Sequence, residues 1–322
     1  MSMGQILLTL TGLVLVLLGL VLVVALMVYG ERRFLALLQD RLGPNRAGPF
    51  GLLQPVADTL KLVTKEAFVP PLADRSVYTI APIIVPLTVL LSFAVVPLSE
   101  DWWLADLNIA LLFILALSSL RVYGIMLGGW ASNSKYPLLG GLRAAAQMIS
   151  YELPMGLALV GVVMLSGSFS LVEIVAAQAQ ALPYILLQPL GFIIFLVCGI
   201  AETNRLPFDL PEAENELASG YNTEYGGIRF AFFYLGEYMG VLLIAALVTV
   251  LFLGGWHGPW LPGVVWFALK TLALIFLFYW LRTSLPRLRY DQLMDCGWKL
   301  MLPAALINLL FTAVLGLFWM EG

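Results

Sequence analysis

The sequence predicts an all-α fold: a polytopic integral membrane bundle of eight transmembrane helices with one amphipathic helix at the cytoplasmic surface. Of the 322 residues, 61% are hydrophobic and only 11% are charged, and the mean hydropathy is +0.94. A chain with so little polar surface cannot cover a soluble core, so composition excludes an ordinary soluble domain. Because the sequence shows no long linker and no repeat, we treat residues 1–322 as a single membrane domain.

Eight stretches with few charges are long enough to cross about 30 Å of hydrocarbon, which takes roughly 20 helical residues. In chain order they lie near 4–29, 77–98, 106–130, 144–166, 182–201, 230–254, 264–282 and 300–320. We expect the first to be a retained helix rather than a signal peptide, because it is long and the charged residues Glu31, Arg32 and Arg33 follow it.

The basic residues of the connections predict the orientation of the bundle. Connections two, four and six hold no Lys or Arg, whereas the odd-numbered connections hold all of them. By the positive-inside rule, the odd-numbered connections face the cytoplasm and both termini face the other side. The two long loops, near 31–76 and 202–229, are therefore expected to be cytoplasmic.

The first long loop contains a predicted amphipathic helix that lies at the membrane surface. Its apolar side chains fall on one helical face: Leu53, Val56, Ala57, Leu60, Val63 and Ala67. Two interpretations stay open at this point. The helix either anchors the loop to lipid, or it borders an entrance for a lipid-soluble substrate, with polar contacts from Arg32, Asp58 and Lys61.

The second long loop is rich in carboxyl groups, and these are Glu202, Asp209, Glu212, Glu214, Glu216 and Glu224. Carboxylates beside a membrane are costly unless they are hydrated or paired, so such a cluster indicates a proton or cation pathway. Asp209 and Glu212 have a simpler explanation as the N-cap and capping-box partner of a helix that begins near Pro211. Glu216 and Glu224 have no such local role.

Four charged residues fall inside the predicted spans: Arg121, Glu152, Glu237 and Lys270. Each should face protein or water, because a charge at the bilayer centre is unfavourable. The first three lie in the cytoplasmic half, which favours a half-channel that passes charge sideways over a complete pore. Two alternatives remain: the two carboxyl groups pair with Arg121 or Arg143 to fix helix packing, and Lys270 extends to the outer interface.

The chain holds two cysteines, Cys198 and Cys296, and one histidine, His257. A structural zinc site, an iron-sulfur cluster and a bis-histidine haem each need more ligands than these residues supply. We therefore expect neither a metal site nor a redox cofactor in this chain.

Five segments in order along the chain carry a resemblance to a known family. They are GERRFLALLQDRLGPNRAG, QPVADTLKLVTKE, SNSKYPLLGGLRAAAQMISYE, AETNRLPFDLPEAENELASGYNTEYGG and SLPRLRYDQLM. Together they resemble the H subunit of bacterial respiratory complex I, the proton-pumping NADH:quinone oxidoreductase. The resemblance covers essentially the whole chain.

This resemblance implies a subunit of a multi-pass complex in the bacterial inner membrane that joins the hydrophilic arm to the membrane arm. Its substrate would be ubiquinone or menaquinone, and it would have no isolated activity. Its partners would be subunits B, D and I on the cytoplasmic side and A, J and K in the membrane, together with lipid but not nucleic acid. It assigns a quinone chamber to Arg32, Ala57 and Asp58, and we add Lys61 of the same predicted helix. It assigns a proton relay to Glu152, Glu212, Glu214, Glu216, Glu224 and Glu237, and we add Asp209 of the same loop.

Two other functions remain open. Related membrane-bound hydrogenases use a similar anchor subunit, and the polar residues of the first loop argue against that version. A free-standing secondary transporter would ideally show paired broken helices in its two halves, and the prolines Pro183 and Pro189 of the fifth span have no evident counterpart in the first span.

Overall fold

The structure is a computed structural model that describes residues 3–100 and 102–320; the side chains of residues 3–10, 13, 15, 214, 215 and 318–320 lie outside this description. The described residues form helices and connecting turns without a β-strand. The α-helices are α1 Met3–Leu38, α2 Gln54–Thr64, α3 Arg75–Phe93, α4 Ala110–Ala131, α5 Lys135–Ser166, α6 Leu171–Gln180, α7 Tyr184–Leu187, α8 Pro189–Glu202, α9 Glu214–Leu217, α10 Gly227–Phe252, α11 Gly263–Ser284, α12 Tyr290–Asp295 and α13 Leu302–Met320. The predicted all-α class is confirmed.

Within the described residues, six helical segments are long and apolar enough to cross a membrane: α3, α4, α5, α10, α11 and the continuous segment Tyr290–Leu317. The last segment joins α12 to α13 through a π-helical turn, Cys296–Met301. The predicted first span falls within the 36-residue α1. The count of eight spans stays a prediction.

The predicted fifth span is broken. Its main helix, α8, has 14 residues and is therefore about 21 Å long, which is less than the hydrocarbon thickness. Pro189 begins this helix, since proline is well suited to a first helical turn but donates no backbone hydrogen bond. The preceding residue, Gln188, is fully buried and separates α8 from the short α7.

Two features of the connections differ from the prediction. α5 begins at Lys135 rather than near residue 144, which places Arg143 on a helix instead of in a loop. The connection after α5 contains α6, which periodicity did not reveal because the helix is short. Its side chains Leu171, Ile174 and Val175 are buried in the main core.

α10 is the central helix of the bundle. In its most apolar stretch, 94% of the residues are buried, and it packs against α1, α2, α3, α8 and α11. A polar residue on this helix therefore lies among other helices and away from lipid. Glu237 is such a residue, with 3% of its surface exposed.

Lys270 on α11 stabilises the end of α10. Its Nζ donates hydrogen bonds to the carbonyl oxygens of Leu253, Gly255 and His257 at 2.7, 3.0 and 2.7 Å. The last carbonyl groups of a helix lack partners within the helix, and a cation there complements the helix dipole. Lys270 therefore binds the C-cap of α10 and the turn that follows it. Its extension to the outer interface stays a prediction.

Candidate functional site

The acidic loop, residues 203–226, folds against the N-terminal halves of α5 and α10. Gln147 on α5 ties down its first part by donating hydrogen bonds to the carbonyl oxygens of Ala201 and Phe208, both at 2.8 Å. At Gly220 the backbone has a φ of 58°, and an added Cβ would collide with the carbonyl oxygen of Pro211. Only glycine fits here, and this turn directs Tyr221 into the bundle.

Tyr221 connects the acidic loop to the central helix. Its phenol oxygen lies 2.7 Å from Oε1 of Glu212 and 2.9 Å from Oε1 of Glu237. Asn222 donates a second hydrogen bond to Glu212 at 2.7 Å. The tyrosine ring packs edge-on against Phe233 of α10 at a centroid distance of 5.3 Å, which fixes its position.

The geometry around Tyr221 requires a shared proton. A phenol has one hydrogen to donate, and an ionised carboxylate can only accept. Both contacts are therefore hydrogen bonds only when Glu212 or Glu237 is protonated and donates to the phenol. Burial raises the pKa of Glu212 well above its ordinary value, and the nearby carboxyl groups of Glu237 and Asp209 raise it further. The arrangement can hold one proton between two acids.

Arg205 extends this group of residues toward α1. Its Nη2 lies 3.4 Å from Oε2 of Glu237 and its Nη1 lies 3.9 Å from Oε1 of Glu31. The guanidinium group also stacks on the ring of Tyr238 at 4.1 Å. Arg282 on α11 forms a second ion pair with Glu31. Two arginines thus compensate carboxylates that the bundle buries.

Asp209 does not cap a helix, so the predicted helix start near Pro211 is wrong. The next helix begins only at Glu214, and Asp209 instead pairs with Arg287 at 2.9 Å. Burial raises the pKa of Asp209 to about 6, and the opposing attraction of Arg287 does not offset it. Glu212 likewise turns inward to Tyr221 and takes no capping role.

The remaining acids of the loop lie nearer its surface. Glu216, predicted to have no local partner, forms an ion pair with Arg143 at 2.6 Å, and 49% of its side chain is exposed. Glu224 is partly exposed, and its carbonyl oxygen accepts a hydrogen bond from Tyr78 at 2.6 Å. The side chain of Glu214 lies outside the described residues.

Glu152 on α5 is held by hydroxyl groups of α4. Its Oε1 accepts hydrogen bonds from Ser119 and, at 3.1 Å, from Ser118. Within the described residues it forms no ion pair with Arg121 or Arg143, and Glu237 pairs with Arg205. The packing alternative, in which Arg121 or Arg143 pairs with these acids, is therefore wrong.

The helix predicted in the first long loop is confirmed as α2, and its polar face is fixed to α1. Arg32 forms an ion pair with Asp58 at 2.5 Å, and Gln54 donates to the same carboxylate at 3.1 Å. Ala57 and Lys61 are exposed on this helix. Its apolar face is also uncovered within this chain, with Val56 54% exposed and Leu60 60% exposed.

The structure brings Glu212 and Glu237 together at Tyr221. Two other predicted site residues lie in ion pairs elsewhere: Glu216 pairs with Arg143, and Asp58 pairs with Arg32. Sequence patterns missed three residues of the buried group: Glu31, Arg205 and Tyr221. Glu31 stands at the end of a long apolar stretch and directly before Arg32 and Arg33. Charged residues of this kind usually mark the end of a span, so the pattern did not indicate a buried site. A tyrosine carries no charge, and no pattern marks it as a bridge between acids.

These helices and the buried acids define a multi-pass membrane protein with titratable groups inside its bundle. Comparison with known proteins identifies the family. Residues 11–313 match the family described as NADH dehydrogenase. An H subunit of NADH-quinone oxidoreductase from Syntrophobacter fumaroxidans is 56% identical over 93% of this chain and 93% of that relative. An H subunit of the same enzyme from Geobacter metallireducens is 56% identical over 89% of this chain and 90% of that relative.

A further relative, the NADH-quinone oxidoreductase H subunit of Syntrophotalea carbinolica, is 55% identical over 93% of both chains. The chain belongs to this family, the H subunits of NADH-quinone oxidoreductase. It is a multi-pass membrane subunit of an oxidoreductase complex, and the other subunits of that complex are its partners.

Proposed function

We propose that this subunit couples quinone reduction to proton transfer through its buried carboxyl groups. One observation carries the proposal: a continuous line of contacts runs from Glu31 through Arg205 to Glu237, and on through Tyr221 to Glu212. Acids that can share a proton within a membrane bundle are suited to relay protons. We call these five residues the central network.

The two ends of the central network suggest its direction. Glu31 directly precedes Arg32, whose ion pair with Asp58 fixes α2. A quinone that accepts protons near α2 would change the charge beside Glu31. The other end of the network is Glu212 in the acidic loop. Glu152 on α5 has a partly exposed side chain, which would lie toward the edge of the bundle. Protons would pass from that edge to membrane subunits that carry out pumping.

The quinone chamber follows from the uncovered face of α2. A quinone has a long apolar tail and a polar head, and α2 offers exposed apolar side chains next to Arg32 and Asp58. We assign Ala57 and Lys61 to the same chamber because they are exposed on this helix. Asp209, Glu214, Glu216 and Glu224 complete the proposed relay on the cytoplasmic side.

The assembled enzyme would place subunits B, D and I over the acidic loop and A, J and K beside the bundle. Electrons would reach quinone from an iron-sulfur cluster in one of those partners, since this chain would carry no redox centre. The complex would lie in the inner membrane with both termini of this subunit in the periplasm. The quinone would be ubiquinone or menaquinone.

The central test is the substitution Glu237→Gln, which keeps the shape and removes the titrating group. In proteoliposomes that hold the assembled complex, we expect quinone reduction and proton uptake to fall together. Electron transfer from NADH to ferricyanide should persist, because it uses only the hydrophilic arm. An assembled Glu237→Gln enzyme that pumps at the normal rate would contradict the proposal.

The quinone chamber has a separate test. Ala57→Phe should raise the apparent KM for quinone or block reduction, because a bulky ring would fill the space beside Asp58. The matched control is Val63→Phe on the same exposed face near the end of α2. An equal loss of ferricyanide reduction would indicate failed assembly, and an unchanged KM for quinone would remove Ala57 from the chamber.

A further inference from the structure

The helix α2 is short and depends on other helices for its position. It has 11 residues, and isolated helices shorter than about 12–15 residues are marginal in water. Its apolar face is uncovered within this chain, and Arg32 of α1 holds only the middle of its polar face, at Asp58. The position of its C-terminal end therefore depends on a different contact.

The C-terminal end of α2 meets the first residue of α10. That residue, Gly227, has a φ of 59°, and an added Cβ would lie 2.8 Å from the carbonyl oxygen of Lys65, the C-cap of α2. The same Cβ would lie 3.4 Å from the carbonyl oxygen of Leu62. Only glycine allows the two backbones to approach this closely. The negative end of one helix dipole thus faces the positive end of another.

Arg229, in the first turn of α10, adds a side-chain contact to this junction. Its Nη1 donates a hydrogen bond to the carbonyl oxygen of Ala67 at 3.2 Å. A cation is unfavourable at the N-terminus of its own helix and favourable at the C-terminus of another. In the part of the chain that the structure describes, Arg229 forms no ion pair. Its charge therefore acts on the carbonyl groups that follow α2.

The guanidinium group of Arg229 is held in turn by aromatic rings of the bundle. It lies over the ring of Tyr78 at 5.4 Å, and Tyr78 is fully buried on α3. The ring of Tyr78 stacks on that of Tyr225 at a centroid distance of 4.2 Å. Tyr225 donates a hydrogen bond to the carbonyl oxygen of Gly128 on α4 at 3.1 Å. Arg229 therefore connects the end of α2 to a rigid part of the bundle.

We propose that Arg229 is a positioning residue for quinone, which holds the C-terminal end of α2 and thereby keeps Ala57 and Asp58 in the place where quinone binds. The inference rests on the proposed quinone chamber and adds a residue that neither touches quinone nor belongs to the relay. If α2 is in place only part of the time, the apparent affinity for quinone falls by that fraction. Saturating quinone restores the position of α2, so the maximal rate is retained.

The first test is the kinetics of the assembled complex in proteoliposomes. Arg229→Gln should raise the apparent KM for quinone about tenfold, the effect of losing one hydrogen bond from a charged group. It should leave kcat and the number of protons taken up per quinone unchanged, whereas a relay variant lowers kcat. Arg229→Lys keeps a cation that donates to a carbonyl group, so it should restore most of the affinity. Arg75→Gln is the matched control, because it removes an exposed arginine at the start of α3.

The second test is hydrogen exchange of the backbone amides of residues 54–64 in the assembled complex, which does not depend on quinone. A helix end that is released exchanges faster. Arg229→Gln and Gly227→Ala should both accelerate this exchange, because one removes the contact and the other pushes the two backbones apart. Gly226→Ala is the control for the glycine variant, since its Cβ would meet nothing within 4 Å. Arg75→Gln and Gly226→Ala should exchange at the wild-type rate.

The outcomes separate this inference from the proposed chamber. Unchanged exchange in assembled Arg229→Gln overturns the inference alone, because Ala57→Phe tests the chamber independently. Faster exchange with an unchanged KM overturns both the positioning role and the chamber, since α2 would then move without consequence for quinone. A lower kcat at an unchanged KM would also overturn the inference, because it is the behaviour of a relay residue.

Discussion

The phenol oxygen of Tyr221 lies 2.9 Å from Oε1 of Glu237, and this contact joins the acidic loop to the central helix. Because the same oxygen also contacts Glu212, the tyrosine is the only described side chain that hydrogen-bonds both acids. A loop that looks like a charged surface in the sequence therefore reaches the centre of the bundle.

Replacing Tyr221 with Phe should break this connection and keep the ring packed on Phe233. We expect quinone-linked proton uptake to fall on the order of 10²-fold, the contribution of a single proton-transfer group. Proteoliposome assays should be compared with Tyr123→Phe, which alters an exposed tyrosine of α4. Equal activity of the two variants would exclude Tyr221 from the relay.

The buried position of Glu212 predicts a ranking of the acidic loop. Glu212→Gln should impair proton uptake more than Glu216→Gln or Glu224→Gln, because Glu212 contacts Tyr221 of the central network. The pair of Glu216 with Arg143 is half exposed, and such pairs contribute only about 0–1 kcal/mol. Initial rates of proton uptake for the three assembled variants test this order. A larger defect in Glu216→Gln would place the relay on the loop surface.

Asp209 predicts a pH dependence of stability. Its folded-state pKa of about 6 lies above the ordinary value of a carboxyl group, so the folded protein binds this proton more tightly than the unfolded chain. The group therefore favours folding as pH falls from 7, and this contribution is lost as pH rises through about 6. Asp209→Asn cannot titrate.

We expect wild type to gain thermal stability relative to Asp209→Asn between pH 7 and pH 5. The measurement is the temperature of half-inactivation of quinone reductase activity after heating at each pH. A constant difference between the two proteins across this range would mean that Asp209 does not titrate there.

Gly220→Ala should misplace Tyr221. The added methyl group would collide with the backbone of Pro211, and the alanine would have to adopt a positive φ. We expect a loss of assembled complex on native gels, or an assembled enzyme as slow as Tyr221→Phe. Gly226→Ala is the matched control, because its Cβ would meet nothing within 4 Å and its φ is −132°. Similar behaviour of both glycine variants would contradict this role.

Cysteine labelling can test the predicted orientation of the protein in the membrane. In a protein without native cysteines, membrane-impermeant maleimide added to intact cells should modify Glu100→Cys and Trp260→Cys but not Asn133→Cys. All three positions are exposed at the ends of spans. Inverted vesicles supply the control, since they should reverse the labelling. Modification of Asn133→Cys from outside would overturn the orientation.

The sequence predicted the helices better than their ends. Long apolar stretches gave α3, α4, α10 and α11 within a few residues, because the bilayer sets their length. Hydropathy predicted the fifth span as one helix, although Pro183 and Pro189 lie within it. The buried α6 was missed, because its burial depends on neighbours in space, which hydropathy does not contain.

Prediction of the site from the sequence was limited in the same way, as the acidic loop shows. Its composition indicated a pathway, yet local rules assigned Asp209 and Glu212 to a helix start that does not exist. Capping rules use only nearby residues, whereas Glu212 finds its partners in Tyr221 and Asn222 after the loop folds back.

By itself, the sequence determined that this protein is helical, lies in a membrane and carries acids where acids are costly. Those properties follow from composition and from the length of apolar stretches, which are local quantities. Only the tertiary structure decided which acids meet at one tyrosine inside the bundle and which form surface ion pairs. Glu31, Arg205 and Glu237 are far apart in the chain, and their contacts exist only because α1, the acidic loop and α10 pack together.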